Sequence, residues 1–164
     1  MGHKDPRLNF VAISDMGHPD ALHYLLVRDS VHGSMDDQVR LDGNYFITDQ
    51  QNVRVLSSGK PGTIPWDTFD VDVVIDATGR YLKREELEKH LEAGAKRVFV
   101  TRTPDDEIDR VVIPGINEDI IQESDQIISA TSSTTQVLAL MLKILNQHYT
   151  VRRAMMTTVH AYTA

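Results

Sequence analysis

Five consecutive hydroxyl-bearing residues, Thr131-Ser132-Ser133-Thr134-Thr135, stand between a strand-like run, Gln126 to Ala130, and a long apolar-periodic segment, Val137 to His148. Side-chain oxygens at such a place accept the unpaired first N–H groups of a helix, so by itself the run reads as an N-cap. The same place gathers the positive end of the helix dipole, which suits a nucleophile or a bound phosphate. His160 lies 27 positions after Ser133, within a second strand-like run, Ala154 to Thr163. At the end of that strand it could lie beside the helix start and act as a general base.

The order of strand, SATSSTTQ, helix and MMTTVHAYT resembles the catalytic region of the phosphorylating glyceraldehyde-3-phosphate dehydrogenases and their relatives, the erythrose-4-phosphate dehydrogenases. Their pattern there reads SNASCTTN, a helix, then MTTVH-x-YT, and the resemblance runs over nearly the whole chain. It implies an NAD-dependent oxidoreductase acting on a small phosphorylated aldehyde. Ser133 then occupies the nucleophile position, and His160 is the base that also steadies the developing oxyanion. Ser132, Thr134 and Thr163 take the substrate-phosphate positions.

Ser133 is also where the sequence departs from that family, which has its catalytic cysteine there; Ala130 and Gln136 replace the flanking asparagines. A thiolate attacks the aldehyde in the family reaction, stabilised by the helix start and a histidine. A serine hydroxyl is not appreciably ionised near neutral pH, so aldehyde oxidation by this chain is expected to be feeble or absent.

The elements that would position these residues read as α/β. Leu8 to Ile13 is a strand ending at Ser14-Asp15. In doubly wound folds an acidic residue at the end of the second strand binds the adenosine ribose hydroxyls and repels a 2′-phosphate, and Asp15 matches the family's residue for that role. Pro19 to Arg28 is helical, with Leu22, Leu25 and Leu26 as its apolar stripe. Val39 to Leu41, Tyr45 to Ile47 and Val53 to Leu56 alternate between turn signals and read as an antiparallel excursion. Val71 to Ala77 is the most apolar strand. It leads into Thr78-Gly79, which matches the family's cofactor-contacting turn, while Thr101, after the strand from Lys96, stands where the family has a Ser or Thr beside the cofactor. Lys83 to Ala93 is a charged helix ended by Gly94, its glutamates a solvated face. Asp105 to Asp109 is an acidic loop whose spacing fits no calcium site, and no metal is expected. Val111 to Pro114 and Gln126 to Ala130 complete the strands, with Asn117 starting a short helix between them.

Strands alternating with helices imply a parallel sheet. The expected fold is an incomplete doubly wound, Rossmann-like sheet over 1–131, a partial NAD-binding domain, followed by the first helix and strand of a second α+β domain over 132–164. Incompleteness follows from the resemblance. The family's first strand and glycine-rich turn have no counterpart before Leu8, and its large second sheet has none after Ala164. Losing a central strand exposes its neighbours as edges, so association through sheet edges, or as a homo-oligomer, is expected.

The 164 residues suit one ordinary domain, and 41% are apolar, ample for a core. No cysteine is present, so there is no disulfide and no substitute thiol for Ser133. A net charge of −7 argues against nucleic-acid or anionic-membrane partners. The opening residues lack the apolar stretch of a signal peptide, which reads as cytoplasmic. Beside the enzyme reading stand a non-catalytic relative and a truncated fragment, either of which could bind nucleotide or partner subunits.

Overall fold

The computed structural model describes residues 5–31, 33–35 and 38–161. The chain folds as two compact units, Met1–Val71 with Glu92–Ala95, and Asp72–Leu91 with Lys96–Ala164.

In the first unit β1 (Ala12–Ser14) is followed by α1 (Pro19–Val27), a two-residue ribbon of β2 (Arg28–Asp29) and β3 (Gly33–Ser34), and then β4 (Arg40–Asp42), β5 (Tyr45–Ile47) and β6 (Asn52–Leu56). The sheet order is β1-β6-β5-β4. The excursion read from the alternation is antiparallel, with Asp42 opposite Tyr45 across Gly43-Asn44 and Phe46 opposite Val53. Gly43 has φ +56°, a conformation in which a Cβ is strained. β1 joins parallel to β6, with Ile13 opposite Val55. Alternation along β6 buries Val53 and Val55 against Val27, Val39 and Phe46, with Leu22 and Phe10 packed around them.

Two expectations need correction here. The first strand is shorter than Leu8 to Ile13, because β1 pairs with β6 only over Ala12–Ser14 and Leu8 is exposed. The stripe of α1 is also misassigned: Pro19 and Val27 are its buried residues, and Leu25 is 66% exposed. Leu22 faces the core from partway along the same helix, so a nine-residue helix buries its ends and one flank.

The second unit holds β7 (Val73–Asp76), most of α2 (Arg84–Glu92), β8 (Arg97–Val100), β9 (Arg110–Val111), β10 (Ile127–Ser129) and α3 (Ser133–His148). Its sheet runs β7-β8-β10-β9 with every pairing parallel. β10 lies inside the sheet and is buried throughout, and Leu87, Val98, Val100, Ile108 and Ile127 form the core. Among the described strands β7 pairs with β8 alone, and Val73 and Ile75 are 49% and 59% exposed. The most apolar strand of the sequence is thus an edge strand with one open face.

The helix expected at Asn117 is a 3-10 turn, Glu118–Ile120. Asn117 does not cap it through its side chain; Oδ1 accepts from Ile113 N at 2.7 Å instead. The acidic loop is a fastening. Asp109 Oδ2 accepts from Gln126 N and Ile127 N at 2.8 and 3.0 Å, and Oδ1 from the Arg84 guanidinium at 2.8 Å. Partial burial pushes the Asp109 carboxyl up, but Ile127 N–H, Arg84 and Gln126 N–H outweigh it and hold it below the usual range. Such a carboxyl contributes stability that is full above its unfolded pKa of about 4 and is lost as pH falls through the lower, folded value. Asp109→Asn is therefore expected to cost about 1–3 kcal/mol at neutral pH and to flatten the acid limb of stability, read as urea midpoints between about pH 3 and 6.

Between β10 and α3 the chain turns at Thr131, which is buried with φ +56°, an unusual conformation for a β-branched residue. Residues 150–161 form no helix or strand. The expected strand from Ala154 is absent from the described residues. No described strand lies alongside to complete a ladder, and Met155 and Val159 are almost wholly exposed.

Candidate functional site

In the first unit Asp15 leaves the carboxyl end of β1, where its N–H donates to Leu56 O at 3.0 Å. Its side chain is exposed, and Oδ1 accepts from Gly17 N at 2.7 Å. A Cβ on Gly17 would stand 2.9 Å from Leu22 Cδ2 and 3.2 Å from that oxygen, so a larger residue here would crowd the carboxylate and the end of the Leu22 side chain. The carboxyl ends of parallel strands are where open α/β sheets bind ligands.

In the second unit Thr78, Gly79 and Thr101 meet around a residue that sequence reasoning did not single out, Asp76. Its Oδ1 accepts from Thr78 N at 2.8 Å and from Thr78 Oγ1 at 2.7 Å. Thr78 Oγ1 in turn accepts from Arg80 N at 3.2 Å. Thr101 donates through N and Oγ1 to Asp76 O at 3.1 and 3.2 Å. Gly79, with φ +65°, lies under Arg102: a Cβ there would stand 3.0 Å from both Cδ and Nη1 of that side chain. Oδ2 of Asp76 accepts from His90 Nε2 at 3.4 Å. Burial pushes the Asp76 carboxyl up, but His90 and the two Thr78 bonds together hold it below the ordinary range. A legible signal was present: an aspartate two residues before a threonine at the end of an apolar strand favours an Asx-turn.

The hydroxyl run behaves as its position predicts. Ser132 is the N-cap of α3, its Oγ accepting from Thr135 N at 3.1 Å and lying 2.8 Å from Thr135 Oγ1. Ser133 is the first helical residue and is exposed, and Thr134 follows it in the first turn. Gln136 Nε2 donates back to Ala130 O at 2.7 Å, closing the turn before the helix. His160 is exposed on the irregular segment, and no described hydrogen bond joins it to Ser133. Thr163 lies outside the described residues. Among the described residues no three His, Asp or Glu side chains gather to hold a metal, and no helix is long and apolar enough to cross a membrane.

Residues 1–84 match the family model of the glyceraldehyde 3-phosphate dehydrogenase NAD binding domain. The chain belongs to that family. Its curated relatives include glyceraldehyde-3-phosphate dehydrogenases of Mycoplasma pneumoniae, 38% identical over 157 residues, and of Geobacillus stearothermophilus, 38% identical over 161. These alignments cover 96% and 98% of this chain but 47% and 48% of the relatives. The enzyme of Thermotoga maritima gives the same picture at 38% identity, 98% and 48%. The chain spans about half the length of the curated relatives it matches. Its mixed α/β structure with parallel strands is consistent with a Rossmann-like NAD-binding domain, and NAD is the cofactor of that family.

The residues present fit one part of NAD. An exposed carboxylate at the end of a parallel strand suits vicinal ribose hydroxyls, and the left-handed glycine after β7 lies beneath the Arg102 side chain, which would have to swing aside for a ligand to reach that backbone. The described residues contain no GxGxxG turn for the pyrophosphate.

Proposed function

We propose that this chain binds NAD through Asp15, Thr78, Gly79 and Thr101, as the cofactor-binding part of an NAD-dependent phosphorylating aldehyde dehydrogenase located in the cytoplasm. In this reading 1–131 is a partial NAD-binding domain and 132–164 begins a catalytic domain. The observation that carries it is the exposed Asp15 carboxylate, held at the carboxyl end of β1 by Gly17 N. Bound NAD would supply a hydride acceptor. Asp15 would accept hydrogen bonds from the adenosine ribose and oppose a 2′-phosphate by charge. The substrate is a small phosphorylated aldehyde of the glyceraldehyde or erythrose type. Ser132 and Thr134 would face its phosphate at the start of α3, where helix N–H groups favour an anion, and Thr163 keeps the substrate-phosphate role that the family resemblance implies. NADH is expected to bind at least about tenfold more tightly than NADPH, a difference of about 1.4 kcal/mol, in parallel fluorescence titrations. Equal affinity would remove Asp15 from the role.

Ser133 at the nucleophile position leaves catalysis impaired, since its hydroxyl lacks the acidity of the family's thiol. A second reading is a non-catalytic relative or fragment that binds nucleotide and partner subunits. It is favoured by the exposed His160, by the edge of β7 that no described strand pairs, and by the exposed face of that strand at Val73 and Ile75. Edge strands of this kind pair with other chains, so self-association is expected. A monomer by light scattering across a concentration series would count against it.

A further inference from the structure

Asp76 and His90 are each 5% exposed, and neither belongs to the family residues singled out above for cofactor or substrate. A carboxylate is expensive to bury, and one that remains buried has every oxygen committed to a donor. Here the commitments are divided: Oδ1 serves the N–H and hydroxyl of Thr78, and Oδ2 serves His90 Nε2. The two Thr78 bonds form an Asx-turn that bends the chain directly after β7 and delivers it to Gly79 in the left-handed region. The backbone carbonyl of the same aspartate takes both donors of Thr101, at the end of the neighbouring strand β8.

The side chain of Asp76 thus faces the turn on one side and α2 on the other. An ionised carboxylate is an acceptor only, so the contacting nitrogen of His90 must carry the hydrogen. His90 sits one helical turn after the fully buried Leu87 on α2 and is itself only 5% exposed, so burial leaves its ring little freedom to turn. A ring fixed in this way sets the rotation of the carboxylate, and the carboxylate sets the turn. Carboxylate–histidine pairs commonly orient one another in this manner behind a functional group.

We propose that Asp76 and His90 are a buried positioning pair that fixes the Thr78–Gly79 turn in the shape that receives NAD. The role in binding rests on the NAD reading above; the role in the turn does not. The test uses the full chain with His90→Leu, which keeps bulk and loses the donor, and His90→Gln, whose amide can donate to the same oxygen. Two quantities are read: hydrogen exchange of the Thr78 amide without nucleotide, and NADH affinity by fluorescence. In His90→Leu, Thr78 exchange is expected to quicken about tenfold while Val98 and Val100 in β8 keep their protection, and NADH affinity to fall about fivefold. His90→Gln is expected to return both to within about twofold of the original chain.

Unchanged Thr78 exchange in folded His90→Leu overturns the proposal. So does loss of protection spread evenly through the unit with no rescue by glutamine. If the original chain does not bind NADH, the NAD reading fails, and the exchange measurement still decides the pair. Asp76→Asn provides a second arm if His90→Leu does not fold. It keeps the shape and an acceptor for Thr78 but loses the charge that makes such bonds about twice as strong. About threefold faster exchange at Thr78 is expected, and no change overturns the pair.

Discussion

Gly94→Ala is expected to destabilise the chain by about 3 kcal/mol or more. Gly94 has φ +104°, where an L side chain is strained, and two independent penalties add there. A Cβ would stand 2.6 Å from Asp67 N, 2.6 Å from Asp67 Cβ and 2.8 Å from Asp67 Cα. Two of those atoms are backbone, so the neighbour cannot swing aside as the end of a long side chain would. The contact is also fastened, since Asp67 N donates to Ala93 O at 3.2 Å. Urea unfolding of the variant beside the original chain reads the loss directly. A change below about 1 kcal/mol would mean that the segment relaxes around the added methyl at little cost.

Ser133→Cys is expected to create a reactive thiol without creating a dehydrogenase. The chain has no cysteine, so any thiol alkylation reports position 133 alone. An exposed first residue of a 16-residue helix lies at the positive end of its dipole, which lowers a thiol's pKa. Modification by iodoacetamide should be about tenfold faster in the native variant than in urea, where the helix is gone. With glyceraldehyde 3-phosphate, NAD and phosphate, NADH formation should stay at the level of the serine chain. His160 is exposed on an irregular segment, and no described contact supplies a base to the thiol. Measurable turnover by the variant would show that one atom accounts for the impairment.

Local patterns told most where the chain makes its own partners. The alternation of Val53-Arg54-Val55 and the turn at Gly43 foretold an antiparallel excursion, because all three strands and their turns lie within seventeen residues. Gly94 marked the end of α2, and the hydroxyl run marked the start of α3, because capping is decided within one helical turn. Apolarity, by contrast, says that a residue can be buried and not what buries it. Val73, Ile75, Leu25 and the stretch from Ala154 all read as buried elements, yet Val73, Ile75 and Leu25 are exposed, and 154–161 pairs with nothing among the described strands. Within the candidate site Asp15 was legible as an acidic residue after a strand. The Asx-turn of Asp76 with Thr78 was legible too, but its pairing with His90 was not, since that is a contact across fourteen residues between a strand and a helix.

Binding of NAD through Asp15, as proposed, is read by a fluorescence titration of the folded chain with NADH, repeated on Asp15→Ala. Saturable binding that weakens about tenfold or more in the variant is the predicted result. No saturable binding in a chain shown to be folded by circular dichroism, or equal binding by both, would contradict it.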